Sequence, residues 1–365
     1  MRSNWWLRIT TAAAVAVGML SGSAFADDAG FSLKGKPKIA IIMYGAKNDG
    51  GWTQAFEEAR ERMEKDLGTK IAYVENVDEN AAKITPPVEK FIKKGYNIII
   101  GTAFGYSDTF LALSKKYPDV AFLNGSGTTN GPNLQAFYGR TYESQYLCGM
   151  VAGAVSKTGK LGFVGANPYG VVNWTVNGFE MGAKLSNPKA TTTAIFIGTW
   201  ADPVKERAAA EALIDGGADV IGQHVDTPTP QIVAQERGVF GTGHHRDLGE
   251  FAPKATLCSS VWYWDRYLTP ELKKIIAGGW KPNPYGAFPT IKEGPTDIIL
   301  NEKLVPADVV KKVMAERQAL IDGKEIYAGP ITDVSGKEVV PAGKVLDDAG
   351  LWKMDWYVPG VITQK

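Results

Sequence analysis

Short apolar runs alternate with amphipathic segments along this chain, and that alternation restricts the possible fold more than any other feature. Residues 38–43 (KIAIIM) form a continuous β-rich run, as in a strand that is buried on both faces of a parallel sheet. Residues 52–67 have the Ala, Glu, Arg and Lys content of an amphipathic helix, and residues 70–74 are again strand-like. Strands separated by helices predict a doubly wound, parallel α/β sheet with helices on both faces.

The alternation starts a second time after a small-residue helix near residues 142–156. Strands are predicted at residues 160–164, 192–197 and 219–223, with helices between them. Two successive series imply two α/β lobes, and the segments beyond residue 255 could complete either lobe. Ligands of open α/β sheets bind outside the carboxyl ends of the strands. A cleft between the lobes is therefore the expected site, and lobe closure is the expected mechanism.

The N-terminal residues have the three parts of a secretory signal peptide. Arg2 and Arg8 form a short basic region, an apolar run occupies residues 9–20, and residues 24–26 form an Ala-x-Ala triplet. The apolar run is shorter than the roughly 20 residues that span a bilayer, so we predict that residues 1–26 are a cleaved signal peptide. No cysteine near the cleavage site could accept a lipid, and the expected location is the periplasm. The net charge of +1 indicates no nucleic-acid partner.

The loops that follow the predicted strands are unusually rich in aromatic and polar residues. A flat heteroaromatic ligand needs rings against its faces and hydrogen-bonding groups at its edges, and stacking is worth about 1–3 kcal/mol per base. Taken singly, each aromatic residue could instead pack against its own sheet. Several loops that should converge carry such residues, however, which favours a ligand role. The predicted ligand-binding residues are Trp52, Thr53, Phe104, Asp108, Trp174, Asn177, Trp200, Asp226, His245 and Asp247.

Signatures of catalysis, metal binding and phosphate binding are weak or incomplete. His244 and His245 are adjacent, so on an extended segment they point to opposite faces and do not easily chelate one ion. Gly50 and Gly51 precede a helix without the Lys-Ser/Thr of a P-loop, and no Gly-x-Ser-x-Gly nucleophile elbow occurs. We predict a binding protein that is not an enzyme and has no metal or cofactor. The alternative from another class is a periplasmic nucleoside hydrolase, which would need a metal or an acid/base pair.

Two cysteines, Cys148 and Cys258, fall in separate predicted elements. In an oxidising compartment they could form a disulfide bond, but a core of this size needs no covalent crosslink. We therefore expect two small, buried, apolar side chains.

Five segments are specific in their order and spacing. They are Gly51-Trp52-Thr53, 104–108 (FGYSD), 177–183 (NGFEMGA), 200–203 (WADP) and 221–228 (IGQHVDTP). In these segments the chain resembles the basic membrane protein (BMP) family of ABC-transporter substrate-binding proteins, and the resemblance covers essentially the whole mature chain. It implies a type I periplasmic binding fold, in which two Rossmann-like lobes are joined by a three-crossover hinge.

On that fold, we expect lobe 1 to comprise residues 37–140 plus about 262–288 and lobe 2 to comprise residues 141–260 plus about 289–365. The resemblance also implies purine nucleosides or nucleobases as ligands and an ABC permease as the partner of a monomeric protein.

The resemblance implies roles for individual positions. Trp52 and Trp174 are similar to the stacking aromatics that the two lobes contribute. Phe104 and Asp108 are similar to the wall that follows the third strand. These roles predict a planar ligand held between rings of opposite lobes.

Two departures from the nucleoside-binding pattern bear on the ligand. Trp52 and Thr53 stand where that pattern has Phe and Asn, and His245 stands where it has Asp. His245 and Asp247 lie in the segment that resembles the ribose-side loop. Because position 245 has His in place of the Asp of the nucleoside-binding pattern, the resemblance suggests a ligand without sugar. We predict a free base such as adenine or an oxopurine. A nucleoside, or a sugar on the same fold, is the alternative.

Overall fold

The computed structural model describes residues 30–364, so the predicted signal peptide at residues 1–26 lies outside the described part of the chain. The first sheet has five strands in the order β2-β1-β3-β4-β5, and all of its pairs are parallel. Its elements are β1 (Ile39–Ile42), α1 (Trp52–Leu67), β2 (Ile71–Val74), α2 (Ala81–Lys93), β3 (Ile98–Gly101), α3 (Ser107–Lys116), β4 (Ala121–Gly125) and β5 (Leu134–Phe137). Every residue of β1 is buried, as its unbroken apolar run predicts.

The second sheet has seven strands in the order β11-β10-β9-β8-β6-β7-β14. Its pairs are parallel except for β10 with β11, which is antiparallel. The elements in this half are α4 (Thr141–Val155), β6 (Lys160–Gly165), α5 (Gly170–Ser186), β7 (Thr191–Phe196), α6 (Pro203–Asp215), β8 (Val220–His224), α7 (Thr229–Glu236), β9 (Phe240–Gly243), β10 (Thr256–Trp262) and β11 (Thr296–Leu300).

The remaining elements follow β10 and β11 along the chain. They are α8 (Trp264–Ala277), α9 (Ala307–Ile321), β12 (Ile331–Thr332), β13 (Glu338–Val340), α10 (Asp348–Trp352) and β14 (Val361–Gln364). Helix α8 returns to the first lobe, where Trp264 stacks on Phe56 of α1 with ring centroids 4.8 Å apart. Strand β14 is an edge strand of the second sheet and pairs with β7.

The chain passes between the lobes three times, after β5, after β10 and before β11. The passing segments are hydrogen-bonded to each other, because Arg140 N–H donates to Pro289 O at 3.0 Å and Tyr263 N–H donates to Pro295 O at 2.8 Å. The structure confirms two doubly wound lobes joined by a three-crossover hinge.

The two cysteines lie side by side in the second lobe. Cys148 is in α4 and Cys258 is in β10, and both are buried. Their Sγ atoms are 2.9 Å apart. The expectation of buried side chains in separate elements agrees with the structure, and the tertiary fold adds their mutual contact.

A buried carboxyl group ties α4 to the hinge. Glu143 is 4% exposed, and its Oε2 accepts a hydrogen bond from Ile291 N–H at 2.6 Å. Burial raises the pKa of Glu143 to about 8 from an ordinary value of 4.5. The folded state therefore holds this proton more tightly than the unfolded state, and the free energy of unfolding falls as the pH rises from about 4.5 to about 8.

We expect Glu143→Gln to make the decline of unfolding free energy between pH 5 and pH 7.5 shallower by about 1.4 kcal/mol per pH unit, the contribution of one proton. Burial also raises the pKa values of Glu180 and Glu206, each to about 7, so part of the decline should remain. Urea unfolding at a series of pH values measures the slope. The exposed Glu302→Gln is the matched control. Equal slopes in the two variants would contradict the prediction.

Candidate ligand-binding cavity

A narrow cavity lies between the two sheets, at the carboxyl ends of their strands. The cavity has a volume of about 40 Å³, and the empty space around it, including space open to solvent, is about 420 Å³. A cavity of about 40 Å³ is smaller than the roughly 300–1,000 Å³ of small-molecule sites, so its walls have to move apart to admit a ligand. The residues that line the cavity are Tyr44, Trp52, Glu79, Thr102, Ala103, Phe104, Ser126 and Tyr138 from the first lobe, and Val171, Trp200, His224, Asp226 and His245 from the second.

Aromatic side chains form much of the wall. Trp52 begins α1, and its Nε1–H donates to Thr102 O at 2.7 Å, which fixes the indole ring. The ring centroid of Trp52 lies 6.2 Å from that of Tyr138, and the two rings are 27° from parallel. Phe104 and Trp200 add rings from opposite lobes. Such a lining suits a small, flat, apolar-faced ligand.

Asp226 and His245 form a hydrogen-bonded pair on the second-lobe side. Trp262 Nε1–H donates to His245 Nδ1 at 3.0 Å, so this ring carries its proton on Nε2. His245 Nε2–H lies 3.1 Å from Asp226 Oδ1 and donates to it. Burial lowers the pKa of His245 to about 3, and burial raises the pKa of Asp226 well above its usual range. Both shifts favour neutral groups, so the contact is a hydrogen bond and not an ion pair.

The electrostatic character of the cavity is acidic. Among the described residues that line it are Glu79 and Asp226, but no lysine or arginine. Burial, followed by the charge of Glu79, raises the pKa of the Tyr44 phenol. Phosphate and carboxylate ligands call for cationic partners, so the cavity suits a neutral ligand.

The lobes are in close contact across the cavity. Gly51 packs so tightly on the second lobe that a Cβ atom there would lie 1.8 Å from Asp226 O. Arg246 of the second lobe donates to Glu58 Oε1 of α1 at 2.8 Å. The structure therefore represents the closed arrangement of the two lobes.

Half of the predicted ligand residues meet at this cavity. The structure brings together Trp52, Phe104, Trp200, Asp226 and His245. These five residues come from both lobes and follow strands, as the predicted convergence at the cleft requires.

The predicted placement of Trp174 and Asn177 is corrected by the structure. Trp174 is 1% exposed and lies behind Tyr138, and its Nε1–H donates to Thr141 Oγ1 at 3.2 Å. Asn177 accepts a hydrogen bond from Val358 N–H at 2.9 Å and donates to a nearby carbonyl oxygen. Its amide therefore holds the C-terminal segment against α5 and leaves no group for a ligand.

The other three predicted residues also lie outside the cavity lining. Thr53 Oγ1 accepts from Gly45 N–H at 3.1 Å and so shapes the loop after β1. Asp108 is exposed on α3. Asp247 accepts a hydrogen bond from Gly249 N–H at 2.9 Å and caps a short 3₁₀ helix. Each of these side chains serves its own loop or faces solvent.

Sequence reasoning missed several lining residues, namely Tyr44, Glu79, Thr102, Ala103, Ser126, Tyr138, Val171 and His224. Most of them lie within two residues of the carboxyl end of a strand. Position relative to the strand end was therefore the stronger signal, and aromatic content by itself selected some residues that face the core.

Metal-binding clusters and membrane-spanning helices are both absent from the part of the chain that the structure describes. Within residues 30–364, no group of three or more His, Cys, Asp or Glu side chains is arranged to hold a metal ion. No helix in the same part of the chain has the length and apolar character needed to cross a membrane.

Comparison with known proteins relates this architecture to a family. Residues 36–328 match the family described as PnrA-like ABC transporter substrate-binding proteins (Bmp). A purine-binding protein of Brucella abortus is 35% identical, and the alignment covers 96% of this chain and 97% of that protein. A protein of Haloferax volcanii, provisionally named an ABC transporter glucose-binding protein, is 30% identical over 86% of this chain and 80% of its own length.

A solved structure supports the fold independently. An ABC-transporter solute-binding protein from Aeropyrum pernix superposes with a TM-score of 0.68, covering 81% of this chain and 94% of its own, although only 17% of residues are identical. Fold and family are those of solute-binding proteins, and the family match confirms the resemblance seen in the sequence. The chain belongs to the family of PnrA-like ABC transporter substrate-binding proteins.

Proposed function

We propose that this protein captures a purine nucleobase in the interlobe cavity and delivers it to an ABC permease in the inner membrane. The observation that carries the proposal is the cavity itself, because aromatic rings from both lobes surround a narrow space with polar groups at one side. Rings supply stacking for a flat base, and fixed donors and acceptors select its edge. The purine-binding relative from Brucella abortus supports the same ligand class.

Two features favour a free base over a nucleoside. His245 occupies space beside Asp226 and uses both ring nitrogens in hydrogen bonds, so it offers no acceptor for ribose hydroxyls. The cavity is also small, with a volume of about 40 Å³. A single ring system fits such a space better than a base with a sugar.

A nucleoside is the second candidate, and an adjoining cavity favours it. This second cavity shares Phe104 and Val171 with the first and is also lined by Tyr169, Phe288 and Trp352. A ribose attached to a base in the first cavity would extend into it. A sugar alone is the third candidate, and it is suggested by the provisional name of the Haloferax volcanii relative, a glucose-binding protein.

The proposed mechanism is binding and closure without catalysis. The base enters between open lobes, and closure brings Gly51 against Asp226 and Glu58 against Arg246. Export through the predicted signal peptide would leave a monomeric protein in the periplasm. Release to the permease would follow reopening about the three hinge segments.

The test is calorimetry and thermal unfolding of the chain from Asp27 onward, refolded to remove any carried ligand. We expect a rise in melting temperature with adenine, hypoxanthine, guanine or xanthine, since a ligand at a hundredfold excess over Kd stabilises the folded state by about 2.7 kcal/mol. The matching nucleosides should bind at least tenfold more weakly, and glucose should have no effect. Equal or tighter binding of nucleosides would move the assignment to the second candidate. A response to glucose alone would contradict purine binding.

A further inference from the structure

His224 is a cavity residue whose chemical role is fixed by its surroundings. It ends β8, and its ring is 2% exposed and lines the cavity. A buried imidazole can meet a ligand with either a donor or an acceptor, depending on which nitrogen carries the proton. The contacts on the far side of the ring decide between these two forms.

Those contacts assign the proton of His224 to Nδ1. His224 Nδ1 lies 2.9 Å from Thr175 Oγ1 of α5. The hydroxyl of Thr175 has a single proton, which it donates to Val172 O at 2.7 Å. Thr175 Oγ1 can therefore only accept from His224, so Nδ1 must carry a hydrogen.

The opposite nitrogen is then a bare acceptor. Burial, and to a lesser extent His245, lowers the pKa of His224 well below its usual range, so the ring is neutral. With the single proton on Nδ1, Nε2 has only a lone pair. Among the described residues none donates a hydrogen bond to this atom, and the ring borders the cavity.

The other two histidines have the opposite tautomer. His245 Nδ1 accepts from Trp262 Nε1–H at 3.0 Å. His244 Nδ1 lies 3.0 Å from Gln145 Nε2, whose second proton goes to Gln223 O at 3.2 Å, so His244 Nδ1 also accepts. Both rings therefore have Nε2–H, and His224 is distinguished from them by its hydrogen-bond partners.

We infer that His224 is a specificity-determining residue, held by Thr175 as the Nδ1–H tautomer, which presents Nε2 to the ligand as a hydrogen-bond acceptor and selects a base with an N–H group at that position. The inference rests on the proposed function and names the chemistry of its recognition. A buried acceptor left without a donor is costly, so a base that is methylated or lacks the proton there is rejected.

The first experiment reads the tautomers directly. The sequence has three histidines, so ¹⁵N-histidine labelling of untagged protein gives three imidazole spectra. Two-bond ¹H–¹⁵N correlation at neutral pH should show one Nδ1–H ring and two Nε2–H rings, and the Nδ1–H signals should vanish in His224→Gln. Addition of a base that binds the protein should shift the His224 Nε2 resonance in the direction expected for a nitrogen that accepts a hydrogen bond. Three Nε2–H rings would overturn the inference.

The second experiment tests selection with a set of variants. Thr175→Val removes the acceptor of the Nδ1–H, whereas Thr175→Ser retains the hydroxyl. We expect the valine variant to bind the base roughly tenfold more weakly, and the serine variant to stay within about twofold of the wild type. The NMR spectrum of the valine variant should show His224 shifting toward Nε2–H. Unchanged affinity and an unchanged tautomer in Thr175→Val would overturn the inference.

A methylation series locates the selected N–H. For whichever base binds, one N-methyl derivative should lose roughly 100-fold in wild-type affinity, and His224→Ala should reduce that discrimination to less than about tenfold. Discrimination that survives in His224→Ala would assign the selection to another residue and overturn the inference. Failure of the wild type to bind any base would instead refute the proposed function, and the tautomer count would still be measured independently.

Discussion

Gly51→Ala is expected to weaken ligand binding by roughly 30-fold or more, because a clash worth about 2 kcal/mol would oppose lobe closure. Gly51 immediately precedes α1 in the first lobe, and an added Cβ would lie 1.8 Å from Asp226 O in the second lobe. The obstacle is backbone, which cannot rotate away as a flexible side chain would. The lobes would have to stay apart, and the cavity would remain open to water.

Calorimetry and small-angle scattering together measure this effect. In the wild type, saturation with a base should reduce the radius of gyration, whereas the alanine variant should remain expanded at the same ligand concentration. The ligand-free variant should keep wild-type circular dichroism, since the clash exists only between closed lobes. Gly216→Ala is the matched control, because the nearest atom to a Cβ there lies at 3.3 Å within the same lobe. An alanine variant that binds and contracts like the wild type would show that closure does not bring Gly51 against Asp226.

Asp226→Ala should lower affinity by roughly 100-fold or more, because it removes a hydrogen bond to the ligand and leaves His245 Nε2–H without its acceptor. Asp226 Oδ1 is occupied by His245, and the described residues provide no hydrogen bond to Oδ2, which leaves that atom for the ligand. Burial, with the charges of Asp49 and Glu79, raises the pKa of Asp226 well above its usual range. We therefore expect the carboxyl group to act as a neutral acid that donates from Oδ2.

Asp226→Asn tests whether Asp226 binds the ligand as a protonated acid or as an ionised carboxylate. The asparagine amide can accept from His245 and donate to the ligand, as the protonated acid does, so affinity should stay within about threefold of the wild type. Wild-type affinity should fall as the pH rises through the raised pKa, and the asparagine variant should show no such fall. Isothermal titration across pH 5–9 measures both. A loss in Asp226→Asn as large as that in Asp226→Ala would mean that the ionised carboxylate is the binding form.

Asp247→Ala provides the control for these variants. Asp247 is an acid in the same part of the second lobe, but its carboxylate caps a 3₁₀ helix and does not line the cavity. The substitution should cost about 1 kcal/mol of stability through the lost cap, with affinity unchanged. It also tests whether the ribose-side loop contributes Asp247 to recognition, as the sequence predicts.

The sequence was sufficient for the order and type of most elements of both lobes. The apolar run 38–43 and the later apolar runs have the period and length of buried parallel strands. The strands predicted from them correspond to β1 to β4 and β6 to β8 of the structure. Strand β5 and the C-terminal elements from β12 to β14 were not predicted. They are short, and their places depend on partners distant in the chain, as with the pairing of β14 to β7.

The site was only partly predictable. Trp52, Phe104, Trp200, Asp226 and His245 follow strand ends and line the cavity, which is the position that the rule about carboxyl ends of strands predicts. Their contact with a ligand stays a prediction. Trp174 and Asn177 lie on α5, where most residues from Val171 to Ala183 are buried. Periodicity cannot tell which side of a fully buried helix faces a ligand and which faces the core.

What the sequence by itself determined is the fold class, the family and the chemistry available at the strand ends, because these depend on local pattern. The tertiary structure decided which side chains turn to the cavity and in what protonation state. Asn177 accepts a hydrogen bond from the backbone of Val358. The position of the proton on His224 is set by Thr175, which lies on a different element. Such assignments depend on contacts between residues far apart in the chain, and a pattern of neighbouring residues contains no information about them.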